Sequence, residues 1–350
     1  MDSLTQALFG AAVGQLGFRH RLGRKALAWG AAAATVPDLD AFAVLPLGPM
    51  AEFTLHRGVT HSVFFAPVVA PVAGWLTWRW HRRRPAERRG AGGAEGDLAP
   101  WIGVWFAALA THPVLDVFTS YGTQVLAPLS NLRLSLPALP IIDILYTLAL
   151  IAAVAVGIVS SRPRTVRMAA ALAIASCAAW TAYGLHLNGV AEARVKARFA
   201  ALGRTVESIQ VHPTLFQPWY RRAVVWTPDA VEVGFLTTWS DTPGEWRRVP
   251  RTSHPALDAL AATEAGRTFA WFAGGALAGE VVEAPDGTVA RLHDLRYAMS
   301  FMPPDQGLWG IEARFDRDGR LIGEVVRFDA DIDPPPGFLR RYWQAIWGTV

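Results

Sequence analysis

Apolar residues run almost unbroken through positions 62–78, 101–118, 138–159 and 168–187. Each run is close to the roughly 20 residues that cross the hydrocarbon core of a bilayer, so the pattern predicts four membrane spans. Two earlier stretches, Leu4–Phe18 and Ala26–Val36, are apolar but shorter; they predict helices that are tilted, half-inserted or packed behind the spans. From residue 189 onward the long runs stop. Ala191–Leu202 reads as an amphipathic helix, Val231–Trp239 and Leu321–Phe328 as strands, and Phe338–Trp347 as a closing Trp-rich helix. Pro285-Asp286-Gly287 and Asp318-Gly319 mark hairpin turns. The predicted architecture is an α-helical integral membrane domain over 1–188, with four full spans and two short N-terminal helices. A mainly antiparallel α+β extracytoplasmic domain follows over 189–350.

Charge gives this path a direction. Basic residues collect in three clusters: Arg19, Arg21, Arg24 and Lys25; then Arg79, Arg82, Arg83, Arg84, Arg88 and Arg89; then Arg162, Arg164 and Arg167. They hold 13 of the 15 Lys and Arg residues before position 189 and fall in alternate loops, as the positive-inside rule requires of a cytoplasmic face. The N-terminus and residues 189–350 are then expected outside. A formal charge of +4 therefore reads as membrane topology, and no nucleic-acid partner is expected. Composition agrees, with 52% hydrophobic and 18% charged residues. The opening Met1-Asp2 lacks a basic region, so the first segment is expected to be retained rather than cleaved as a signal.

The polar residues left over carry the chemistry. Ionisable groups near membrane depth are costly and tend to mark function, and here Asp2, Asp38, Asp40, Glu52, Asp116, Asp143, His56, His61, His112 and His186 all map to the outer ends of segments. His112 and Asp116 are four residues apart and share one helical face, although a polar pair reaching for the interface would look the same. His56 and His61 frame HRGVTH, a spacing that suits a turn or a pair of interfacial histidines; Asp38 and Asp40 form PDLD, where helix capping is the plainer reading. With the single cysteine, Cys177, in an apolar run, any metal must use imidazole and carboxylate. That donor set suits Zn²⁺, with Mn²⁺ as the alternative.

Asp38, His56, His61, His112 and Asp116 are the expected ligands, and Asp40 or Asp143 the expected base. Asp2, Gln6, Thr60, Thr119 and His186 surround them, and Arg57 and Arg133, the two basic residues of the outer loops, are placed for an anionic group. The predicted activity is metal-dependent hydrolysis at the outer face, on a phosphoester or lipid-linked substrate. The competing expectation is a non-catalytic membrane protein whose polar ring binds metal or lipid headgroups.

At these motifs the chain resembles a family, the LexA-regulated, YdjM-like metal-dependent hydrolases of the bacterial inner membrane. The likeness rests on MDSLTQALFGAAVG at the start, PDLD at 37–40, HRGVTHS at 56–62, THPVLDVFTSYGTQVLAPLS at 111–130, IIDILYTL at 141–148 and LHLNGV at 185–190. In residues 189–350 it rests on HPTLFQPWYRRAVV and HDLRYAM, where Trp219, Arg221 and Tyr297 are either substrate contacts or core. The resemblance implies a multi-pass inner-membrane protein with its N-terminus and C-terminal domain in the periplasm. Much of the family carries histidine where this chain has Gln6; an amide there can coordinate through oxygen or hold a bound water. A more distant likeness to zinc-dependent phospholipase C and single-strand nucleases implies phosphodiester chemistry.

Overall fold

The computed structural model describes residues 1–83, 96–240, 246–251, 253–285, 287–303 and 305–349. Arg84, Arg88 and Arg89 of the second basic cluster lie outside the described residues, as does Asp286 of the first predicted turn. The chain divides into two compact units, one of Met1–Val44 with Leu55–Tyr183 and one of Leu45–Thr54 with Gly184–Val350.

The first unit is helical. Asp2 caps α1 (Ser3–Gly17), its carboxylate accepting from Thr5 N at 3.0 Å. A short α2 (Arg19–Leu22) turns the chain into α3 (Lys25–Thr35). The two apolar helices α1 and α3 cross on glycine: a Cβ on Gly10 would meet the Gly30 carbonyl, one on Gly30 the Gly10 carbonyl, and one on Gly14 the Ala26 carbonyl. Only small residues let backbones approach this closely. Gly30→Val is accordingly expected to cost on the order of 3 kcal/mol, measured as a lowered unfolding midpoint of the purified full chain; an unchanged midpoint would refute the close crossing.

After α3 come a 3₁₀ turn (Pro37–Leu39), α4 (Asp40–Val44), a second 3₁₀ turn (Leu45–Leu47), α5 (Pro49–Leu55), a third 3₁₀ turn (Val59–His61), α6 (Phe65–Arg82), α7 (Ala99–Val117), α8 (Ile144–Val159) and α9 (Pro163–Ala201). Trp101, Val104, Ala108 and Leu109 of α7 pack on Ala26, Ala33 and Ala34 of α3 and Ala66 and Ala70 of α6. A second cluster joins Phe9, Leu115, Tyr146, Leu150 and Cys177.

Four full spans do not form among the described residues. Among the described residues one helix, Pro163–Ala201, is long and apolar enough to cross a membrane, and up to three cross if the bent pairs Lys25–Thr35 with Pro37–Leu47 and Met50–His61 with Phe65–Arg82 each count as one. The reasons are local. The run at 138–159 spends its first residues in a loop that ends at Asp143, the N-cap of α8, leaving a helix of 16 residues. The run at 101–118 forms α7, where Thr111, His112 and Asp116 interrupt the apolar sequence. The run at 62–78 starts from a turn rather than from helix.

The second unit holds two four-stranded antiparallel sheets, as the alternating stretches predict. One comprises β1 (Ser208–Pro213), β2 (Tyr220–Trp226), β3 (Ala230–Thr237) and β4 (Trp246–Pro250) in that order. Helices α10 (Pro255–Ala262) and α11 (Glu264–Phe272) lead to the other, of β5 (Leu277–Ala284), β6 (Gly287–Asp294), β7 (Trp309–Asp316) and β8 (Leu321–Asp329), and α12 (Phe338–Trp347) closes the chain. Asp318-Gly319 makes the β7–β8 turn, with Gly319 at φ 79°. The predicted helix at Ala191–Leu202 is the end of α9, and its Ala191, Val195 and Phe199 pack on Val211, Ala223 and Leu236 of the first sheet. Residues 45–54, expected in the membrane domain, belong to this unit. Phe53 is buried there against Phe269 and Phe272, with ring centroids 5.1 and 4.6 Å away.

His212 on β1 is buried, and that desolvation, with the charges of Arg296, Arg222 and Arg221, pushes its imidazole from 6.5 down to about 3. It folds neutral. Below pH 6.5 the unfolded chain takes up a proton that the folded chain refuses, so this contribution is present above pH 6.5 and is lost as pH falls toward 3. Between pH 7 and pH 5 the loss is about 2 kcal/mol. Denaturant titrations of the full chain should show it, and His212→Gln should flatten the slope by that amount.

Candidate metal centre

Four side chains from three segments meet at one point in the first unit. Asp38 comes from the 3₁₀ turn after α3, His61 from the 3₁₀ turn before α6, and His112 and Asp116 from successive turns of α7. Their donor atoms all lie within 4.8 Å of one another. The two imidazole Nε2 atoms are 3.0 Å apart. Asp38 Oδ1 is 3.5 Å from His61 Nε2 and 3.3 Å from His112 Nε2, and Asp116 Oδ2 is 3.3 and 3.4 Å from the same two atoms. A tetrahedral ion with bonds of about 2.0–2.1 Å has its ligand atoms about 3.3–3.4 Å apart, close to the four nitrogen–oxygen distances here.

The ring orientations say which nitrogens face the centre as acceptors. His112 Nδ1 is 2.6 Å from the Ala34 carbonyl, so the proton sits on Nδ1 and the Nε2 lone pair points inward. His61 Nδ1 faces Thr60 Oγ1 at 3.0 Å and Asp40 Oδ2 at 3.3 Å, which assigns the same tautomer. Two imidazole nitrogens 3.0 Å apart need a shared proton or a metal cation between them, and two carboxylate oxygens at the same point favour one of higher charge than a proton. Asp116 Oδ2 is fully buried and takes part in no hydrogen bond, an orphan that a metal would satisfy. Two nitrogens and two oxygens with no thiolate match the donor set of Zn²⁺ or Mn²⁺. His61, His112 and Asp116 are sealed from solvent while Asp38 is 15% exposed, so any approach to the centre is on the Asp38 side.

Around these four stands an ordered shell. Asp40 is its hub: Oδ1 meets His56 Nδ1 at 2.6 Å, and Oδ2 accepts from Thr60 Oγ1 at 2.6 Å and from Arg57 N at 3.2 Å. Arg57, held at φ 57°, is buried rather than open to an anionic ligand. Its guanidinium donates to Thr119 Oγ1 at 2.9 Å, lies 3.5 Å from Asp116 Oδ1 and covers the Tyr121 ring. A buried carboxylate needs a counter-charge, and Asp116 takes this one. Gln6 Nε2 donates to Asp116 Oδ1 at 3.1 Å and to the His112 carbonyl at 3.3 Å; the residue is an amide donor to the second oxygen of Asp116.

The other expected residues are placed elsewhere. His56 is outside the group of four, half-buried, with its ring 5.8 Å from that of His61. Asp2 caps α1, and Asp143 caps α8 while accepting from the Trp180 indole at 2.9 Å, so both oxygens of Asp143 are held by structural donors. Arg133 donates to the carbonyls of Tyr121 and Gly122 at 2.8 and 3.0 Å, bracing a loop. His186 is exposed on α9, in the second unit.

Three participants escaped the sequence reading. Ser3 Oγ donates to Asp38 Oδ2 at 2.6 Å, the Met1 amino group pairs with Asp116 Oδ1, and the Ala34 carbonyl fixes the His112 tautomer. Ser3 lies inside the MDSLTQ opening, which was the one available signal; a main-chain carbonyl and an amino terminus leave none.

No curated protein and no solved structure matches the chain. The model of one family, the YdjM inner membrane protein, matches residues 1–188, which contain every residue of the four-donor cluster and its shell. The likeness expected through residues 212–225 and 293–299 lies beyond that match. Matching more than half of its length, the chain belongs to the YdjM inner membrane protein family.

Proposed function

We propose that this protein is a membrane-embedded, metal-dependent hydrolase that holds Zn²⁺, or alternatively Mn²⁺, between Asp38, His61, His112 and Asp116. The observation that carries this reading is the pair of imidazole Nε2 atoms 3.0 Å apart with two carboxylate oxygens each 3.3–3.5 Å from both nitrogens. A divalent ion there supplies a Lewis acid that polarises a phosphoryl or carbonyl oxygen and acidifies water. The chain's own residues do the rest. Asp40 orients His61 and couples it to His56, held through Nδ1 at 2.6 Å, and the partly exposed His56 ring is our candidate to accept a proton. Arg57 and Gln6 hold Asp116 in place. In place of Asp143, then, the Asp40–His56 pair is our candidate for base chemistry.

The arrangement of basic clusters supports a multi-pass path in the bacterial inner membrane, with the N-terminus and the second unit on the periplasmic side. A site reached from that face suits a phosphoester or lipid-linked substrate. One observation favours a second reading: four protein donors complete a tetrahedron by themselves, as in structural zinc sites, whereas catalytic sites keep a position open. The full chain purified in detergent distinguishes the two. Hydrolysis of phosphodiester or ester substrates that is abolished by chelation, restored by Zn²⁺ or Mn²⁺, and lowered about 10–100-fold by Asp40→Asn supports the enzyme. Stoichiometric metal with no turnover across the panel supports the structural site.

A further inference from the structure

Helix α12 carries an apolar stripe on its outward face. Its inward residues Tyr342, Ala345 and Ile346 pack on Tyr220 and Phe235, while Leu339, Trp343 and Trp347, each four residues from the next, are 75%, 61% and 42% exposed. Trp239, itself 49% exposed, continues the stripe beyond the helix, stacking on Trp347 at 5.3 Å and against Trp219 at 5.6 Å. Aromatic rings this exposed on a water-soluble surface are unfavourable unless something covers them.

The position of this patch along α9 indicates what does. From Met168 to Ala191, α9 contains no Asp, Glu, Lys or Arg; about 20 residues fill the hydrocarbon core, so the helix reaches lipid headgroups close to residue 187. Residues 184–201 of α9 belong to the second unit and are held within it. Arg221 on β2 donates to the Gly184 carbonyl and to Asn188 Oδ1, both at 2.8 Å, and Arg194 donates to the carbonyls of Thr237 and Ser240 at 2.9 Å. Trp219 and Trp239 lie next to those anchor points in sequence, and Thr237 donates its hydroxyl to the Ile346 carbonyl of α12. The patch therefore lies beside the turns of α9 that leave the apolar run. Tryptophan is the residue most at home at this depth, having an apolar body and a polar N–H. Arg340 and Arg341, both exposed, are the only charged residues of α12 and suit lipid phosphates.

We propose that Leu339, Trp343, Trp347 and Trp239 form an interfacial anchor that beds the second unit in the lipid headgroup layer of the leaflet from which α9 emerges. The anchor fixes the height of that unit over the membrane. To test this, the sole cysteine is removed as Cys177→Ala, Leu339→Cys is labelled with an environment-sensitive fluorophore, and the full chain is placed singly in lipid nanodiscs containing spin-labelled lipids. A label at Arg320→Cys, on the β7–β8 turn, is the control. Headgroup-proximal spin labels should quench position 339 at least about threefold more than position 320, and Trp343→Cys should behave as position 339 does. Equal quenching at 339 and 320, with the thermal transition of each variant unchanged, would overturn the proposal. So would Leu339→Cys pairs that crosslink between copies in detergent while no lipid quenching occurs, since the stripe would then bind a second copy.

Discussion

Full-length protein carrying His112→Ala is expected to lose its bound metal, falling from about one ion per chain to background, as read by elemental analysis after purification with Zn²⁺ in the buffer. His112 supplies one of four donors and is oriented by its Nδ1–Ala34 carbonyl contact at 2.6 Å. Its removal leaves one imidazole and two carboxylates, a set that binds zinc far more weakly. Because an ion that binds only the folded state stabilises it by RT ln(1 + [L]/Kd), wild-type protein at a thousandfold excess over Kd gains about 4 kcal/mol that the variant does not. The zinc-induced rise in unfolding midpoint should therefore vanish in His112→Ala. A variant that retained both the ion and the rise would overturn the centre.

Asp116→Ala is expected to do two kinds of damage where His112→Ala does mainly one. Asp116 is fully buried and serves two clients: Oδ2 faces the centre, while Oδ1 faces Arg57 at 3.5 Å and accepts from Gln6 at 3.1 Å. Truncation removes a donor and also strands the buried Arg57 guanidinium without its carboxylate. Breaking one half of a buried ion pair costs about 3–5 kcal/mol. In chelator, where no variant holds metal, Asp116→Ala should unfold at clearly lower denaturant than wild type, and His112→Ala should stay closer to it. If both variants matched wild type in chelator, Arg57 would not depend on Asp116.

The same two residues illustrate how far the chain could be read before folding. A histidine and an aspartate four apart on an apolar helix have to share a face, because helical geometry is local. PDLD and HRGVTH were visible as polar islands in apolar surroundings for the same reason. Which member of each motif faces the centre was not visible. Asp38 and Asp40 are two residues apart, yet one contributes to the group of four and the other sits behind His61; His61 joins the group while His56 pairs with Asp40. Two 3₁₀ turns decide this, and their orientation is set by packing against α3, α6 and one another rather than by their own sequence. Asp143 poses the opposite ambiguity. Buried and acidic, it reads as chemistry, but a carboxylate one residue before a helix is as readily a cap, and only the fold brings Trp180 to its other oxygen.

Hydrophobic periodicity was sufficient for the broad architecture, a helical N-terminal part and antiparallel sheets after it, since burial and hydrogen-bond satisfaction act on patterns a few residues long. It overcounted the spans because apolarity alone does not distinguish lipid-facing helix from buried loop or from a helix interrupted by its own site. Cluster membership, the inward turn of Arg57 and the assignment of residues 45–54 to the second unit all rest on contacts between residues far apart in the chain. Those contacts exist only once the helices have packed, and it is packing that converts a list of polar residues into a centre of two nitrogens and two oxygens.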